Sequence, residues 1–399
     1  MVATAFGLAT VAAAYEAGLL SVDGPQVLLT LTNTPDPVST TPLTEVGGVT
    51  ALIDRFDAVH DLNAALAPRH PRRWLPLDAD LPAEERRLRL LWGLGDDDVT
   101  LLSESVAGEP AHALARVFGD APLEVYSDGL MSYGATGGLV DAGIGRRVTR
   151  VLHLDLVPGL VPVLHREWGA RCTVIPSEAL RAVIDPGPEQ VPTRRPSTAL
   201  VLGQYLATDG LVGREEEIEL YAELVRRCLD LGLDRIVFKQ HPSAPADQGR
   251  AVAAVAGEPT GPGARFVVAR QAELVETWFA RGEADLVVGC FSTALLTAAT
   301  CYGLPVARLG TGLLLDRMTP VGNLNRVPVL LVDATVPALD REPPGPVRVP
   351  SDLQELVEAV GDVMQPGLRP AHHARATAYL DAHPAERVRY LGEAGQRVA

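Results

Sequence analysis

The sequence predicts an α/β protein of two Rossmann-like domains facing one cleft, with a C-terminal helix crossing back to the first domain. Three observations lead there. At 399 residues the chain exceeds one comfortable hydrophobic core. Short β-branched runs alternate with longer helical patterns, as parallel sheets built of βαβ units require. A proline-rich break interrupts that alternation once, and the pattern then restarts. The expected domains are residues 1–190, residues 191–368 and a terminal helical segment, 369–399.

In the first half the strand candidates are Val2–Phe6, Val27–Leu31, Val99–Leu102, Leu123–Tyr126 and Val148–Leu154. Helices are expected over Thr10–Leu19, Ala83–Trp92 and Ala111–Phe118, with Gly7 as a turn after the first strand. The break is Asp185–Pro196, with four prolines in twelve residues. Proline removes a backbone donor and fixes φ, so neither a helix nor a central strand continues through it.

Beyond it, strands are expected at Thr198–Gly203, Arg235–Lys239, Arg265–Ala269, Asp285–Gly289 and Val327–Val332. Helices are expected over Arg214–Leu231, from Ser292, over Leu353–Met364 and from Pro370 onward.

Composition narrows the function. The hydrophobic fraction is 47% and the charged fraction 21%, ordinary for a globular chain. The formal net charge of −15 disfavours nucleic acid and anionic lipid as partners. The apolar N-terminus lacks a basic flank and is interrupted by Glu16, so neither a signal peptide nor a transmembrane segment is expected, and the expected location is cytoplasmic. Cys172, Cys228, Cys290 and Cys301 have no metal or redox spacing and read as packed thiols. Lysine occurs once, at Lys239, among 35 basic residues.

In doubly wound domains the functional loops follow the strands. Three motifs stand there. In Tyr126–Gly134, Asp128 follows a strand and Gly129 offers a sharp turn. A carboxylate so placed can take a proton from a hydroxyl nucleophile; an Asp-Gly turn is the plain alternative. In Phe238–Pro242, His241 lies two residues past a strand with Lys239 beside it. Histidine can donate a proton or a hydrogen bond to a leaving phosphate, and lysine adds a compact charge; a loop-capping histidine is the alternative. In Val287–Ala299, Ser292 or Thr293 caps a helix whose free N–H groups suit phosphate; an unliganded cap is the alternative. Glu273 opens a further helix, where a carboxylate either grips ribose hydroxyls or answers the helix dipole, and Glu276 is expected to be solvated.

Ser127–Gly129, Lys239–Pro242, Glu273 and Ser292–Thr293, in that order, resemble bacterial sialyltransferases of the GT-B type, above all the polysialyltransferase-like group. The resemblance implies an inverting, metal-independent transfer of sialic acid, or a related nonulosonic or ulosonic acid, from a CMP-sugar donor to an acceptor hydroxyl, with no cofactor. It implies Asp128 as base and His241 as the group serving the departing CMP. It implies Lys239, Gln240, Pro242, Glu273, Ser292 and Thr293 as donor-binding residues, with Gly129 a structural turn. Ser127 departs from the group's pattern, which has an acid there. The net charge favours a small or neutral acceptor over a polyanion. The DxD-like strings Asp78–Asp80 and Asp96–Asp98 lie in loop-like surroundings and are not read as metal ligands. The rivals are a GT-B transferase or epimerase using a UDP- or GDP-sugar, and a non-catalytic two-lobed nucleotide-sugar-binding protein.

Overall fold

The computed structural model describes residues 1–20, 24–34, 41–46, 48–136, 140–184, 195–241, 243–259, 265–269 and 273–392. It divides into two compact units, Met1–Asp155 with Val161–Val183, and Leu156–Leu160 with Ile184–Ala399. Both are mixed α/β with parallel sheets. Residues 185–194, most of the proline-rich break, lie outside the described residues.

In the first unit, β1 (Val27–Thr30) pairs β2 (Ala58–Asp61). A separate sheet runs β3 (Leu101–Ser103), β4 (Leu123–Ser127), β5 (Val148–Leu154), β6 (Arg171–Ile175), each strand parallel to the next. The expected first strand, Val2–Phe6, is reduced to a parallel bridge between Val2 and Thr30. Helix Ala5–Glu16 starts earlier than expected, because the Thr4 hydroxyl accepts the Gly7 N–H at 2.9 Å and caps it. Gly7 through Ala14 are all buried. The apolar N-terminus is therefore a core helix, hydrophobic all round because it is covered all round.

The second unit holds one five-stranded sheet, β11 (Val306–Arg308), β10 (Leu286–Gly289), β7 (Thr198–Leu202), β8 (Arg235–Lys239), β9 (Phe266–Ala269). Counted from β7, this is the 3-2-1-4-5 order of a doubly wound domain read from β9 to β11. All five residues of β7 are buried. That is why its sequence, TALVL, is nearly continuous in apolar residues instead of alternating.

Val327–Val332 is not a strand. It lies in helix Arg326–Thr335, with Pro328 in the first turn, where a missing N–H breaks no helical bond. Arg326 through Asp333 are all buried, so no 3.6-residue polar pattern marks the helix. The edge strand is instead β11.

The terminal segment is helical, as expected. Its helices Pro370–Ala382 and Pro384–Leu391 belong to the second unit. They are anchored there by Asp333, which accepts hydrogen bonds from Thr311, Arg389 and Tyr390 and pairs with Arg308 at 3.0 Å. Arg326 also donates to the Tyr390 carbonyl at 2.6 Å. Among the described residues no helix is long and apolar enough to cross a membrane.

Candidate active site

Asp128 is the first residue after β4 and is half-buried. Ser127 before it is buried, and its hydroxyl donates to the Gly129 carbonyl at 3.3 Å; the Ser132 hydroxyl donates to the same carbonyl at 3.1 Å. Gly129 has φ −145° and ψ −176°, extended backbone open to any residue. The sharp glycine turn expected there is absent, and the chain bends in the short 3-10 turn Leu130–Tyr133 that follows. Tyr126 is fully buried, and among the described residues its hydroxyl has no hydrogen-bond partner. Burial, then Glu104, then Asp128 hold that hydroxyl far above its ordinary pKa, so both carboxylates lie within electrostatic reach of it.

In the second unit the nominated residues follow β8, β9 and β10. Lys239, the last residue of β8, is buried. Burial lowers its pKa, while Glu273 and Glu276 draw it back up. Glu276 was expected in solvent, yet it is 3% exposed in the first turn of helix Val275–Ala280. Burial pushes its carboxyl up to about 7, against its own backbone hydrogen bond and Lys239. The chain's single lysine thus answers a buried acid. Glu273 lies two residues before that helix, its carboxylate bound by Arg281 at 2.6 Å.

His241 is half-buried, with its ring centroid 4.4 Å from that of Tyr205. The Ser243 N–H donates to its Nδ1 at 3.1 Å. That bond leaves Nε2 to carry the proton of the neutral ring. Burial, reinforced by Lys239, lowers its pKa to about 4. At neutral pH the ring is a neutral Nε2–H donor. Titration of the ligand-free protein between about pH 5 and 8 should leave the His241 ring NMR signals unmoved. An anion bound beside the ring should raise the pKa. A midpoint near 6.5 without ligand would contradict the neutral assignment.

Ser292 caps helix Thr293–Tyr302, its hydroxyl accepting the Ala294 N–H at 3.3 Å, and Thr293 is the first helical residue. Both are half-buried and accessible. Gln240 is buried, and its amide donates to the Pro245 carbonyl at 2.5 Å. Pro242 lies outside the described residues.

Two residues missing from the sequence reading belong to this half. The sheet's topological switch point lies between β7 and β10. Gln204, just after β7, spans it: the Phe291 N–H donates to its Oε1 at 3.1 Å, fixing the loop before Ser292. Gly203, before it, lets the end of β7 lie close to β8, since a Cβ there would meet the Phe238 ring at 2.8 Å. Tyr205 supplies the ring against His241. The signal for both was adjacency to the end of the strand TALVL.

The remaining nominations separate cleanly. Cys290 is fully buried with its thiol pKa raised, a packed thiol and no nucleophile. Asp78, of the first DxD-like string, pairs with Arg116 at 2.6 Å. Among the described residues no group of three or more His, Cys, Asp or Glu could hold a metal.

A strand-end carboxylate in one unit, with a phosphate-type helix N-terminus, a histidine and a lysine after parallel strands in the other, is the equipment of a nucleotide-sugar glycosyltransferase. The family model for Alpha-2,8-polysialyltransferase (POLYST) matches residues 1–311. The chain belongs to this family and is a sialyltransferase-like glycosyltransferase. No curated protein matches it. Similar solved structures include Acinetobacter baumannii MurG, at 14% identity and TM-score 0.40, with 98% of this chain and 91% of that one covered. Another is Phytolacca americana UGT2 complexed with UDP-2fluoro-glucose and pterostilbene, at 12% identity and TM-score 0.43, covering 98% and 95%.

Proposed function

We propose that the protein transfers sialic acid, or a related nonulosonic or ulosonic acid, from a CMP-sugar to an acceptor hydroxyl, with inversion and without a metal ion or other cofactor. The observation that carries this reading is the second unit's switch point. There the N-terminus of helix Thr293–Tyr302, capped by Ser292, meets a loop braced by Gln204. Membership of the polysialyltransferase family supports this donor class.

In this reading Asp128 takes the proton of the acceptor hydroxyl. The freed oxygen attacks the anomeric carbon from the face opposite the phosphate. The carbon–oxygen bond to phosphate breaks, and CMP leaves with the electron pair. His241 donates its Nε2–H to the departing phosphate. Ser292, Thr293 and the helix N-terminus hold the same group by fixed dipoles. Glu273, steadied by Arg281, takes the ribose hydroxyls, and the backbone around Gln240 and Pro242 takes the cytosine edge. Lys239 adds positive charge beneath the phosphate.

A thermal-shift panel with CMP, UDP and GDP tests the donor. CMP at a hundred times its dissociation constant should stabilise the fold by about 2.7 kcal/mol. Ser292→Ala combined with Thr293→Ala should abolish that shift, measured against the variant's own baseline, which the lost cap lowers by about 1 kcal/mol. A shift with UDP or GDP and none with CMP would overturn the donor assignment.

A further inference from the structure

We propose that Gln248 is a positioning residue of the donor site: with Gln240 and Gln204 it forms a relay of side-chain amides that sets His241 and the loop before Ser292 as one piece. The proposal deepens the CMP-sugar reading and rests on it only for the identity of the ligand.

The first support is topology. His241 follows β8 and Ser292 follows β10, and the sheet order puts β7 between those two strands. β8 and β10 share no ladder of their own, so strand register does not fix one loop against the other. A link between the two loops has to cross the end of β7. In the proposed reaction both loops serve one departing phosphate, and a misplacement of about 1 Å can cost about 10²-fold in rate.

The second support is the geometry of the relay. The Gln240 Nε2 donates to the Pro245 carbonyl at 2.5 Å, with His241 between them in the chain. The same carbonyl accepts the Gln248 N–H at 2.9 Å. Gln248 opens helix Gln248–Ala256, and its Nε2 donates to the Gln204 carbonyl at 2.8 Å, just past the end of β7. The Gln204 Oε1 in turn accepts the Phe291 N–H, one residue before Ser292. A second link runs beside the first, since Tyr205, next to Gln204 in the chain, packs its ring on His241. The start of the helix is held against β9: a Cβ on Gly249 would meet the Val268 side chain at 2.5 Å.

The third support is what the glutamine costs. Gln248 is 1% exposed, and among the described residues its enclosed Oε1 has no hydrogen-bond partner. A buried amide that uses half of its capacity adds little to stability. Methionine, of similar length, would fill the space without a stranded oxygen. What glutamine supplies and methionine does not is the directed bond to Gln204.

Gln248→Met in the full chain tests the relay by amide hydrogen exchange without ligand, followed by CMP titration. The melting temperature should stay close to the parent's, because one unpaired oxygen, Gln248 Oε1, is exchanged for another, the Gln204 carbonyl. The Phe291 amide should exchange about tenfold faster or more once Gln204 is no longer held. The His241 ring NMR signals should move in the same variant. CMP should bind about fivefold more weakly or worse. Gln204→Met should act in the same way, and the double variant should bind CMP no more weakly than the weaker of the two single variants. If no nucleotide binds the parent, the donor reading falls and Phe291 exchange alone decides the relay. Unchanged Phe291 exchange, a CMP affinity that survives the substitution, additive losses in the double variant, or an unfolded Gln248→Met would each overturn it.

Discussion

Asp128→Asn is expected to lower the turnover of sugar transfer about 10²- to 10⁴-fold, the usual worth of a positioned general base. Asparagine keeps the size of the side chain and, at a half-buried strand end, should leave the fold unchanged. What it removes is the basic carboxylate that takes the acceptor's proton in the proposed mechanism. The proposed mechanism places donor binding on residues after β8, β9 and β10, so the CMP-induced thermal shift it predicts should be the same in variant and parent. The loss should fall on kcat, with the acceptor KM moving little, because an amide still hydrogen-bonds a hydroxyl. A rate within a few-fold of the parent, with an intact fold, would remove Asp128 from the chemistry and leave it a structural residue at the end of β4.

The second large effect concerns stability. The Asp333 side chain is 1% exposed and gathers Arg308, Arg389, Thr311 and Tyr390. Burial pushes its carboxyl up, but Arg389, Arg308 and Thr311 outweigh burial and hold the pKa below the ordinary carboxylate value. Removing one partner of such a cluster leaves charge buried and uncompensated. Asp333→Ala should therefore destabilise the second unit by about 3–5 kcal/mol. For a unit of this size that lowers the melting temperature by roughly 6–20 °C. The same depressed pKa gives a pH signature. Its contribution is complete above the unfolded carboxylate value of about 3.9 and is lost as pH falls through the lower folded value. Denaturant melts of parent and variant should accordingly converge in strong acid. An unchanged melting temperature near neutrality would show that the terminal helices are held by apolar packing alone.

Most strands were legible because a parallel sheet buries both faces of its central members. The runs TALVL and RIVFK announce themselves by β-branching and length, and the residues after them inherit a position. Asp128, His241, Ser292 and Thr293 all follow strands of this kind. Where burial is complete, the same logic misleads. Val327–Val332 carries strand-like residues, but helix Arg326–Thr335 is covered on every side and shows no polar stripe. Val2–Phe6 looks like a strand, yet the Thr4 cap ends it after a single bridge.

Side-chain environments were less legible than elements. Glu276 was placed in solvent because first-turn acids usually are, whereas a buried Lys239 accounts for it inside. The pairing of Tyr205 with His241, and of Gln204 with Phe291, joins residues far apart in the chain. Only the topology of the sheet brings them together.

The most direct test of the central claim is a proton NMR time course of CMP-sialic acid with the full chain, a neutral oligosaccharide acceptor and a metal chelator. The account predicts one CMP released per glycoside formed, with the first product of opposite anomeric configuration to the donor and no loss of rate in chelator. A product that retains the donor's configuration, a rate that vanishes with the chelator, or an intact CMP-sugar under conditions where a UDP- or GDP-sugar is consumed would contradict it.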